Sequence, residues 1–385
     1  MGKVHPKVDE AIETLNMKDG PTRRKLIAGT GLVSATAAAS ALLAACSSSS
    51  SASSAVSSSS SNPFPKTPSW QFWFVNHVTT NSFFVPTQYG FQDAAKLLGL
   101  PTPKWTGSTN SIASQMVSQI DAAVSAKAAG IATPVIDSSM ATPVKNAMDA
   151  GIPVMSYNAD GIYTHGVPQI YTNRLAYVGQ ALYLSGQAMG EQIKTLVPGG
   201  GEIVIFIATP GTGNIQPRYD GAVSVLGSSY HVSEVATSTV DGTELSTEKS
   251  YLLGHKGTLK GAFAVDSGST ANLTAALKGT GTSIPAGGFD TDPRTLSGLQ
   301  AGTIKFSIFQ DPYLQGFLPT LYLYLYNLSG AQLAPPDTDT GLTVLTPSNV
   351  ATMLKNSRFQ GGSSAQMYIP RPSGAINQPV GTTST

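Results

Sequence analysis

The pattern that decides the fold is clearest in GGFDTDPRTLSGLQAGTIKFSIFQDPYLQGF, residues 287–317. An apolar run ends at Asp290, a helix-like segment begins near Asp292, and a second apolar run ends at Gln310 and Asp311. Only 12% of the chain is charged, so the acidic residue after each run calls for an explanation. Strand, helix and strand in this order predict two parallel strands joined by a right-handed crossover.

The same alternation extends over most of the chain. The predicted strands are the apolar runs 70–78, 131–136, 152–158, 202–208, 261–266, 284–290 and 304–310. Amphipathic segments predict helices at 83–99, 111–130, 139–150 and 176–196. Roughly ten such units are too many for one sheet of ordinary size. The sequence therefore predicts an α/β fold of two doubly wound, Rossmann-like lobes, each with a parallel sheet covered by helices on both faces.

Polar residues stand at the carboxyl ends of four predicted strands: Asn158, Asp266, Asp290 and Gln310. In doubly wound sheets, ligands bind outside the carboxyl ends of the strands. The predicted strand ends therefore mark the edge at which we expect a binding site.

The first 45 residues predict an export signal, not a part of the folded core. Thr22–Lys25 is basic, Leu26–Ala45 is apolar and rich in small residues, and Leu43–Cys46 resembles a bacterial lipobox. A lipobox cysteine is lipidated and becomes the new N-terminus, so Cys46, the only cysteine of the chain, is the expected lipidation site. The paired arginines resemble a twin-arginine signal, and the general export route stays open. We expect a protein anchored to the outer face of the cytoplasmic membrane.

Two other interpretations of this region remain open. A run of about 20 residues is long enough to span a bilayer, so 26–45 could be a retained transmembrane helix. Its content of Ala, Gly, Ser and Thr favours cleavage instead. Cys46 could also be a free thiol or a bridge between chains, but its position directly after the apolar run favours anchoring.

The segments that flank the predicted lobes have little to bury. Residues 47–63 are mostly serine, so 46–67 are predicted to form a solvated tether, and the Pro-, Gly- and Thr-rich segment 370–385 is predicted to be disordered.

The chain without its predicted signal is close to neutral. Removing residues 1–45 takes away six of the 23 basic residues and four of the 22 acidic residues, which leaves 17 basic and 18 acidic residues. A near-neutral protein offers no electrostatic basis for binding nucleic acid.

Motifs for catalysis and for metal binding are missing from the sequence. The five histidines, at positions 5, 77, 165, 231 and 255, show no metal-ligand spacing, and lipidation of Cys46 leaves no cysteine for a Cys–His pair. The glycine-rich segment 209–216, TPGTGNIQ, lacks the Lys-Ser/Thr of a phosphate-binding loop, and no G-x-S-x-G motif occurs. We therefore expect no catalysis, no cofactor and no metal.

Six segments, in their order and spacing, resemble the type I periplasmic binding proteins of bacterial sugar importers, near those for ribose, galactose and autoinducer-2. The resemblance covers about residues 68–369. It rests on NHVTTNSFFVPTQYGFQDAAKLLG (76–99), AGIPVMSYNAD (150–160), AYVGQALYLSGQAMG (176–190), IQPRYDGA (215–222), GAFAVDSGS (261–269) and the segment 287–317 quoted above.

The resemblance implies two lobes that close on a ligand. The N-terminal lobe would comprise 68–179 and 311–339, and the C-terminal lobe 180–310 and 340–369. The chain would cross between the lobes three times, near Gln180, near Gln310–Asp311 and near Asp339–Gly341, which form a three-strand hinge. The implied function is capture of a monosaccharide or related polyol by a monomer that delivers it to the permease of an ABC transporter. The alternative is a sensor that presents the same ligand to a membrane receptor.

The resemblance also implies the residues that contact the ligand: Asn81, Phe83, Phe84, Asn158, Arg218, Asp266, Asp290 and Gln310. Carboxylates, carboxamides and guanidinium groups can bridge neighbouring sugar hydroxyls with two hydrogen bonds each. An aromatic face covers the apolar surface of a sugar ring.

Three of these residues have plausible structural roles instead. Phe83 and Phe84 could belong to the core, and Arg218 could be a surface charge neutralised by Asp220. Asp290 could cap a helix, although Asp292, which precedes Pro293, suits that position better.

One position departs from the family pattern. Ribose-type members have Asp followed by Arg where this chain has Asn158–Ala159. An arginine supplies up to five hydrogen-bond donors, so its loss argues against ribose as the ligand. Asp160, two residues after Asn158, is expected to substitute in part for the missing arginine.

Overall fold

The computed structural model describes residues 65–373, apart from 162, 165–166, 169–171, 356, 361–364, 367, 369 and 371–372. The predicted signal peptide, Cys46 and all but the last three residues of the tether lie outside the described residues, as does nearly all of the predicted tail. In the described part of the chain, no helix has the length and apolar character that a membrane span requires.

The described residues form two six-stranded sheets and a short two-stranded one. The strands are β1 (Phe72–Asn76), β2 (Lys104–Gly107), β3 (Gly130–Val135), β4 (Val154–Asp160), β5 (Tyr163–Thr164), β6 (Val167–Pro168), β7 (Tyr177–Gly179), β8 (Gly201–Ile207), β9 (Tyr230–Ala236), β10 (Gly261–Ala264), β11 (Ala286–Phe289), β12 (Phe306–Phe309), β13 (Thr338–Asp339) and β14 (Thr343–Leu345). The helices are α1 (Val85–Leu98), α2 (Ala113–Ser125), α3 (Ala141–Asp149), α4 (Leu182–Leu196), α5 (Gln216–Val225), α6 (Asp241–Gly254), α7 (Ser267–Thr280), α8 (Pro293–Gln300) and α9 (Leu314–Leu328).

The sheet of the N-terminal lobe has the order β13-β7-β4-β3-β1-β2, and all of its strand pairs are parallel. Helices α1 and α9 pack on one face of this sheet, and α2 and α3 pack on the other. All five residues of β1 are buried, because a parallel sheet covered on both faces has no side exposed to water.

The sheet of the C-terminal lobe has the order β14-β12-β11-β10-β8-β9. Helices α4 and α5 cover one face, and α6, α7 and α8 cover the other. Its pairs are parallel except that β14 runs antiparallel to β12. The reason lies in the connections: β12 leads towards the other lobe, whereas β14 comes back from it. The predicted fold class, two doubly wound α/β lobes, is confirmed.

The chain passes between the two sheets three times. Strand β7 ends in one sheet and α4 begins beside the other, β12 is followed by α9, and β13 is followed by β14. These crossings fall near Gln180, Gln310–Asp311 and Asp339–Gly341. In the described part of the chain, three short segments outside both sheets therefore join the two lobes, and Arg358, after β14, returns to the N-terminal lobe through a salt bridge with Asp93 on α1.

The structure differs from the predicted elements in two helices and at the sheet edges. The helix expected over 111–130 ends at Ser125, and Gly130 already begins β3. The helix expected over 176–196 begins only at Leu182, because Tyr177–Gly179 form β7 between β4 and β13. Pairing within the sheet overrides the helical pattern there. Strands β2 and β9 were not predicted. Both lie at sheet edges and are only partly buried, so neither has the continuous apolar run of a central strand.

Candidate ligand-binding site

A cleft between the two lobes collects polar side chains from the carboxyl ends of both sheets. Its cavity has a volume of about 80 Å³. All eight residues implied by the resemblance line this cleft: Asn81, Phe83, Phe84, Asn158, Arg218, Asp266, Asp290 and Gln310. The structure thus brings the predicted residues together, and their contact with a ligand stays a prediction.

Arg218 points inward from the first turn of α5 and is 2% exposed. Its Nη1 donates to the carbonyl of Val265 and its Nη2 to Oε1 of Gln180, each at 3.0 Å. The guanidinium lies 4.3 Å from the centre of the Phe289 ring. Its Nε has no hydrogen-bond partner among the described residues, so this donor remains available.

The close packing of α4 and α5 holds Arg218 in place. A Cβ on Gly186 would lie 2.2 Å from the carbonyl oxygen of Arg218, and one on Gly221 would lie 2.1 Å from that of Tyr183. Only glycine permits this approach of the two backbones. Asp220 does not neutralise Arg218, because it accepts a hydrogen bond from Gln216 on the same helix.

Asp290 follows β11 and is 3% exposed. Its φ of 72° lies in the left-handed region, which Asp adopts more readily than most residues. Gln310 donates a hydrogen bond of 2.8 Å from Nε2 to Oδ1 of Asp290. Asp292, and not Asp290, caps α8 by accepting from the backbone N–H of Arg294 at 2.8 Å. Asp290 is therefore not occupied by helix capping.

Burial shifts the pKa values of Asp290 and Arg218. It raises the pKa of Asp290 to about 6, although Arg218 and Gln310 act in the opposite direction. Burial also lowers the pKa of Arg218 from its usual value, while the nearby Asp290 raises it again. Near neutral pH the two groups carry opposite charges that partly compensate each other inside the cleft.

Asp266 combines a place in the cleft with a structural role. It caps α7, since one carboxylate oxygen accepts from the backbone N–H of Ser269 at 2.9 Å. The other oxygen accepts from the backbone N–H of Ala208 and from the hydroxyl of Ser269, both at 3.0 Å. A carboxylate has about four acceptor positions, so Asp266 keeps little capacity for a ligand.

The N-terminal lobe contributes neutral and aromatic groups. Asn81 caps the 3₁₀ turn Ser82–Phe84 by accepting from the N–H of Phe83 at 2.9 Å. Phe84 is 2% exposed, and its ring packs edge-on against that of Phe83 at 4.7 Å between centres. Asn158, in the left-handed region with φ 62°, donates from Nδ2 to Gln315 Oε1 at 3.2 Å.

Further polar residues that were not predicted also line the cleft, among them His77, Ser111, Asn214 and Glu244. His77 directly follows β1, so its position at a strand end was a signal that the sequence offered. Glu244 lies on α6 and Asn214 in the loop before α5. No strand end marks those two positions, and only tertiary packing brings them to the cleft.

Glu244 belongs to a buried acidic group behind the cleft. Burial and the neighbouring Asp266 raise its pKa to about 8, so it carries a proton at neutral pH. Glu248, one turn further along α6, is fully buried, and its carboxyl oxygens have no hydrogen-bond partner among the described residues. Burial, with Glu244 beside it, raises its pKa as well. Glu244 is therefore a neutral neighbour of Asp266, and burial disfavours the charged form of Glu248.

The two lobes touch across the cleft. The backbone N–H of Gly213, in the C-terminal lobe, donates to the carbonyl of Ile136 in the N-terminal lobe at 3.1 Å. Next to it, the side-chain nitrogen of Asn214 lies 3.2 Å from Nε2 of His77. These contacts define a closed arrangement of the lobes.

Hydrogen bonds tie the three crossings to one another. Gln180 donates to the carbonyl of Gly341 at 3.2 Å, and the hydroxyl of Thr340 donates to the carbonyl of Gln310 at 2.7 Å. Because Gln180 also accepts from Arg218, the hinge and the cleft share a buried side chain.

The expectation for Asp160 is wrong. Asp160 does not line the cleft but forms a salt bridge with Arg174 and accepts a hydrogen bond from Ser156. Arg174 also pairs with Asp337. Asp160 is thus committed to an ion pair near the first crossing and cannot replace an arginine in the cleft.

Known proteins share this sequence and fold. Residues 72–330 match the periplasmic binding protein domain family. The xylose/arabinose-binding protein XylF of Sulfolobus acidocaldarius is 45% identical over 316 residues, which are 78% of this chain and 77% of that protein.

Solved structures agree with the fold. The solute-binding protein of an ABC transporter from Burkholderia graminis, in complex with D-arabinose, has a TM-score of 0.67 at 25% identity and covers 75% of this chain and 99% of its own. A carbohydrate transporter structure from Acidothermus cellulolyticus, in complex with myo-inositol, has a TM-score of 0.68 at 20% identity. It covers 76% of this chain and 100% of its own. With two six-stranded lobes around one cleft and a family match over most of its described residues, the chain belongs to the periplasmic binding proteins and has their type I fold.

Proposed function

We propose that this protein captures a monosaccharide or a related polyol outside the cytoplasm and delivers it to the permease of an ABC transporter. The observation that carries this proposal is the buried set of planar polar groups, Arg218, Asp290 and Gln310, in a cleft that also contains Phe84. The 45% identical relative is named for xylose and arabinose, and the Burkholderia protein holds D-arabinose. Both relatives support a sugar as the class of ligand.

The proposed contacts follow from the hydrogen-bonding capacity that the protein leaves unused. Arg218 keeps its Nε donor, and Asp290 uses one carboxylate oxygen for Gln310. A sugar hydroxyl both donates and accepts, so it can join a carboxylate to a guanidinium. Phe84, with Phe83 beside it, supplies the apolar surface for the face of the ring. Asn81 and Asn158 contribute amide groups from the opposite lobe.

The ligand is bound by closure of two lobes, with the boundaries 68–179 and 311–339 for one and 180–310 and 340–369 for the other. Hinge closure around a ligand is the known behaviour of periplasmic binding proteins. The ligand contacts both lobes fully only when they meet, so it favours the closed state by its difference in affinity for the two states. The closed monomer is the form that the permease recognises, and the ligand is released unchanged.

The protein is held at the outer face of the cytoplasmic membrane. Arg23–Arg24 and Leu43–Cys46 support export and lipidation, and the serine-rich segment 47–63 supplies the tether. A Cys46→Ser variant should lose lipid labelling and leave the membrane fraction. Full retention of that variant in the membrane fraction would contradict the anchor.

A thermal-shift screen of the purified protein tests the binding function. D-xylose, L-arabinose, D-arabinose, D-glucose and myo-inositol form the panel. A ligand at 100 times its Kd should raise the free energy of unfolding by about 2.7 kcal/mol. Mass spectrometry of the recovered ligand should show no chemical change. The proposal fails if no member of the panel stabilises the protein or if the recovered ligand is altered.

A further inference from the structure

Four residues of the cleft have a buried polar atom without a hydrogen-bond partner in the described part of the chain. The atoms are His77 Nδ1, Ser111 Oγ, Asn214 Oδ1 and Arg218 Nε. A buried polar atom that lacks a partner costs free energy, so such atoms are rare unless something binds to them. Arg218 belongs to the site already proposed. The other three form a separate group, with His77 and Ser111 in the N-terminal lobe and Asn214 in the C-terminal lobe.

His77 and Asn214 face each other from opposite lobes. His77 follows β1 in the N-terminal lobe, and Asn214 lies between β8 and α5 in the C-terminal lobe. Their side-chain nitrogens are 3.2 Å apart. The neighbouring hydrogen bond from the N–H of Gly213 to the carbonyl of Ile136 holds the loop of Asn214 against the N-terminal lobe. The pair therefore exists only when the lobes are closed.

The chemistry of this pair leaves one donor and one acceptor unused. If the amide nitrogen of Asn214 donates to Nε2 of His77, then His77 offers its Nδ1–H and Asn214 offers Oδ1. If the amide is turned over, Nε2 donates to the oxygen, and the free atoms exchange roles. In both arrangements the group that satisfies the pair must donate one hydrogen bond and accept another.

A hydroxyl is such a group, whereas a carboxylate only accepts and an ammonium group only donates. Burial lowers the pKa of His77 to about 3, so the imidazole is neutral and keeps this balance. The ring of Phe84 lies 5.2 Å from that of His77. Ser111 donates its N–H to the carbonyl of His77 at 2.8 Å, which places another hydroxyl-bearing residue beside the pair.

We propose that His77 and Asn214 form an inter-lobe clasp that binds one hydroxyl of the sugar, an inference that rests on the proposed function. The clasp is a specificity determinant as well as a closing contact. A sugar with a hydroxyl at this position completes both hydrogen bonds. A sugar that lacks it leaves two buried groups unpaired in the closed state.

Titration calorimetry with D-xylose and its monodeoxy analogues at each ring position tests the clasp. Asn214→Ala should weaken the binding of D-xylose about tenfold or more. For the analogue that lacks the clasped hydroxyl, the loss of affinity from wild type to Asn214→Ala should be clearly smaller than for D-xylose, because only the closing contact between the lobes is then removed. His77→Gln is the second variant and should show the same dependence on the same analogue. Asn327→Ala is the matched control, because Asn327 bonds to the carbonyl of Ala129 away from the cleft and should leave every Kd unchanged.

Two results would overturn the clasp while leaving the proposed function intact. One is wild-type affinity for D-xylose in both Asn214→Ala and His77→Gln. The other is an equal loss of affinity for D-xylose and for every deoxy analogue, since no single hydroxyl would then be coupled to the pair. If the wild type binds no sugar of the panel, the proposed function itself fails and the clasp falls with it.

Discussion

The two sides of the cleft are built from different chemistry. The C-terminal side carries the ionisable groups Arg218, Glu244, Asp266 and Asp290. The N-terminal side carries the neutral groups His77, Asn81, Phe83, Phe84 and Asn158. Charge-assisted hydrogen bonds are stronger and more directional than neutral ones. We infer that the charged side selects the pattern of hydroxyls and that the neutral side covers the ligand and excludes water.

The charged side is also preorganised. Arg218 is fixed by the carbonyl of Val265 and by Gln180, and Asp290 is fixed by Gln310. Preorganised groups lose little conformational freedom when a ligand binds. The neutral side gains its full contact only after the lobes meet. The comparison therefore predicts unequal effects of substitution on the two sides.

The largest effect is expected for Arg218→Ala. The change removes the ligand contacts proposed for Arg218 and leaves Asp290 as a buried charge without its compensating cation. Affinity for a bound sugar should fall by about 100-fold, or roughly 3 kcal/mol, as measured by calorimetry. Arg294→Ala is the control, because Arg294 forms partly exposed ion pairs with Asp241 and Asp292 that contribute little. Wild-type affinity in Arg218→Ala would show that Arg218 does not contribute to ligand binding.

Asp290→Asn should weaken binding by about tenfold and remove a pH dependence from the stability of the protein. The folded pKa of about 6 lies above the ordinary value of 3.8, so this group favours folding below pH 4 and loses that contribution as the pH rises through 6. The difference corresponds to roughly 3 kcal/mol. Asparagine can still accept from Gln310 without the buried charge.

Chemical denaturation of wild type and Asp290→Asn from pH 4 to pH 8 tests the direction of this pH dependence. The variant should gain stability relative to wild type as the pH rises. Asp292→Asn is the matched control, since asparagine caps a helix as well as aspartate does and Asp292 lies outside the cleft. A parallel pH dependence in wild type and Asp290→Asn would contradict the assignment.

A smaller effect is expected on the neutral side. Phe84→Leu keeps most of the buried volume but removes the ring face, and affinity should fall about fivefold. Phe83→Leu should have less effect, because Phe83 is only half-buried. Calorimetry on the two variants measures the difference. Equal losses for Phe84→Leu and Arg218→Ala would erase the distinction between the two sides.

The smallest expected signal is the change of shape on closure. Small-angle scattering of the protein should give a smaller radius of gyration with saturating D-xylose than without it. In Gly213→Ala, the new Cβ would lie 2.2 Å from the carbonyl oxygen of Gly161 in the opposite lobe, so this compaction should be reduced. An identical radius in the free and saturated wild type would show that the lobes do not close.

The fold was largely predictable because central strands of covered parallel sheets are continuous apolar runs. The runs 131–136 and 202–208 correspond to β3 and β8. The edge strands β2 and β9 escaped prediction, because partial exposure interrupts their apolar pattern. Tyr177–Gly179 escaped for another reason: the pairing of β7 with β4 and β13 is a tertiary contact that a local helical pattern cannot reveal.

The site was predictable where a residue follows a strand. Asp290 and Gln310 are marked by their position in the sequence, and their placement in the cleft follows from the parallel sheet. The inward direction of Arg218 could not be derived, because a charged residue in the first turn of a helix can face either way. Asn214 and Glu244 reach the cleft through the packing of a loop and of α6, and no strand end marks their positions.

The interleaved chain order bears on how the protein is made. The N-terminal lobe depends on α9 and β13, which are translated only after the whole run from β8 to β12. A ribosome that has finished the first 310 residues has therefore supplied five of the six strands of the C-terminal sheet, while α1 still lacks the helix that packs against it. Unfinished chains expose apolar surface and aggregate readily. We expect truncated products of this gene to depend on chaperones, and the N-terminal lobe to mature only after most of the C-terminal sheet has been made.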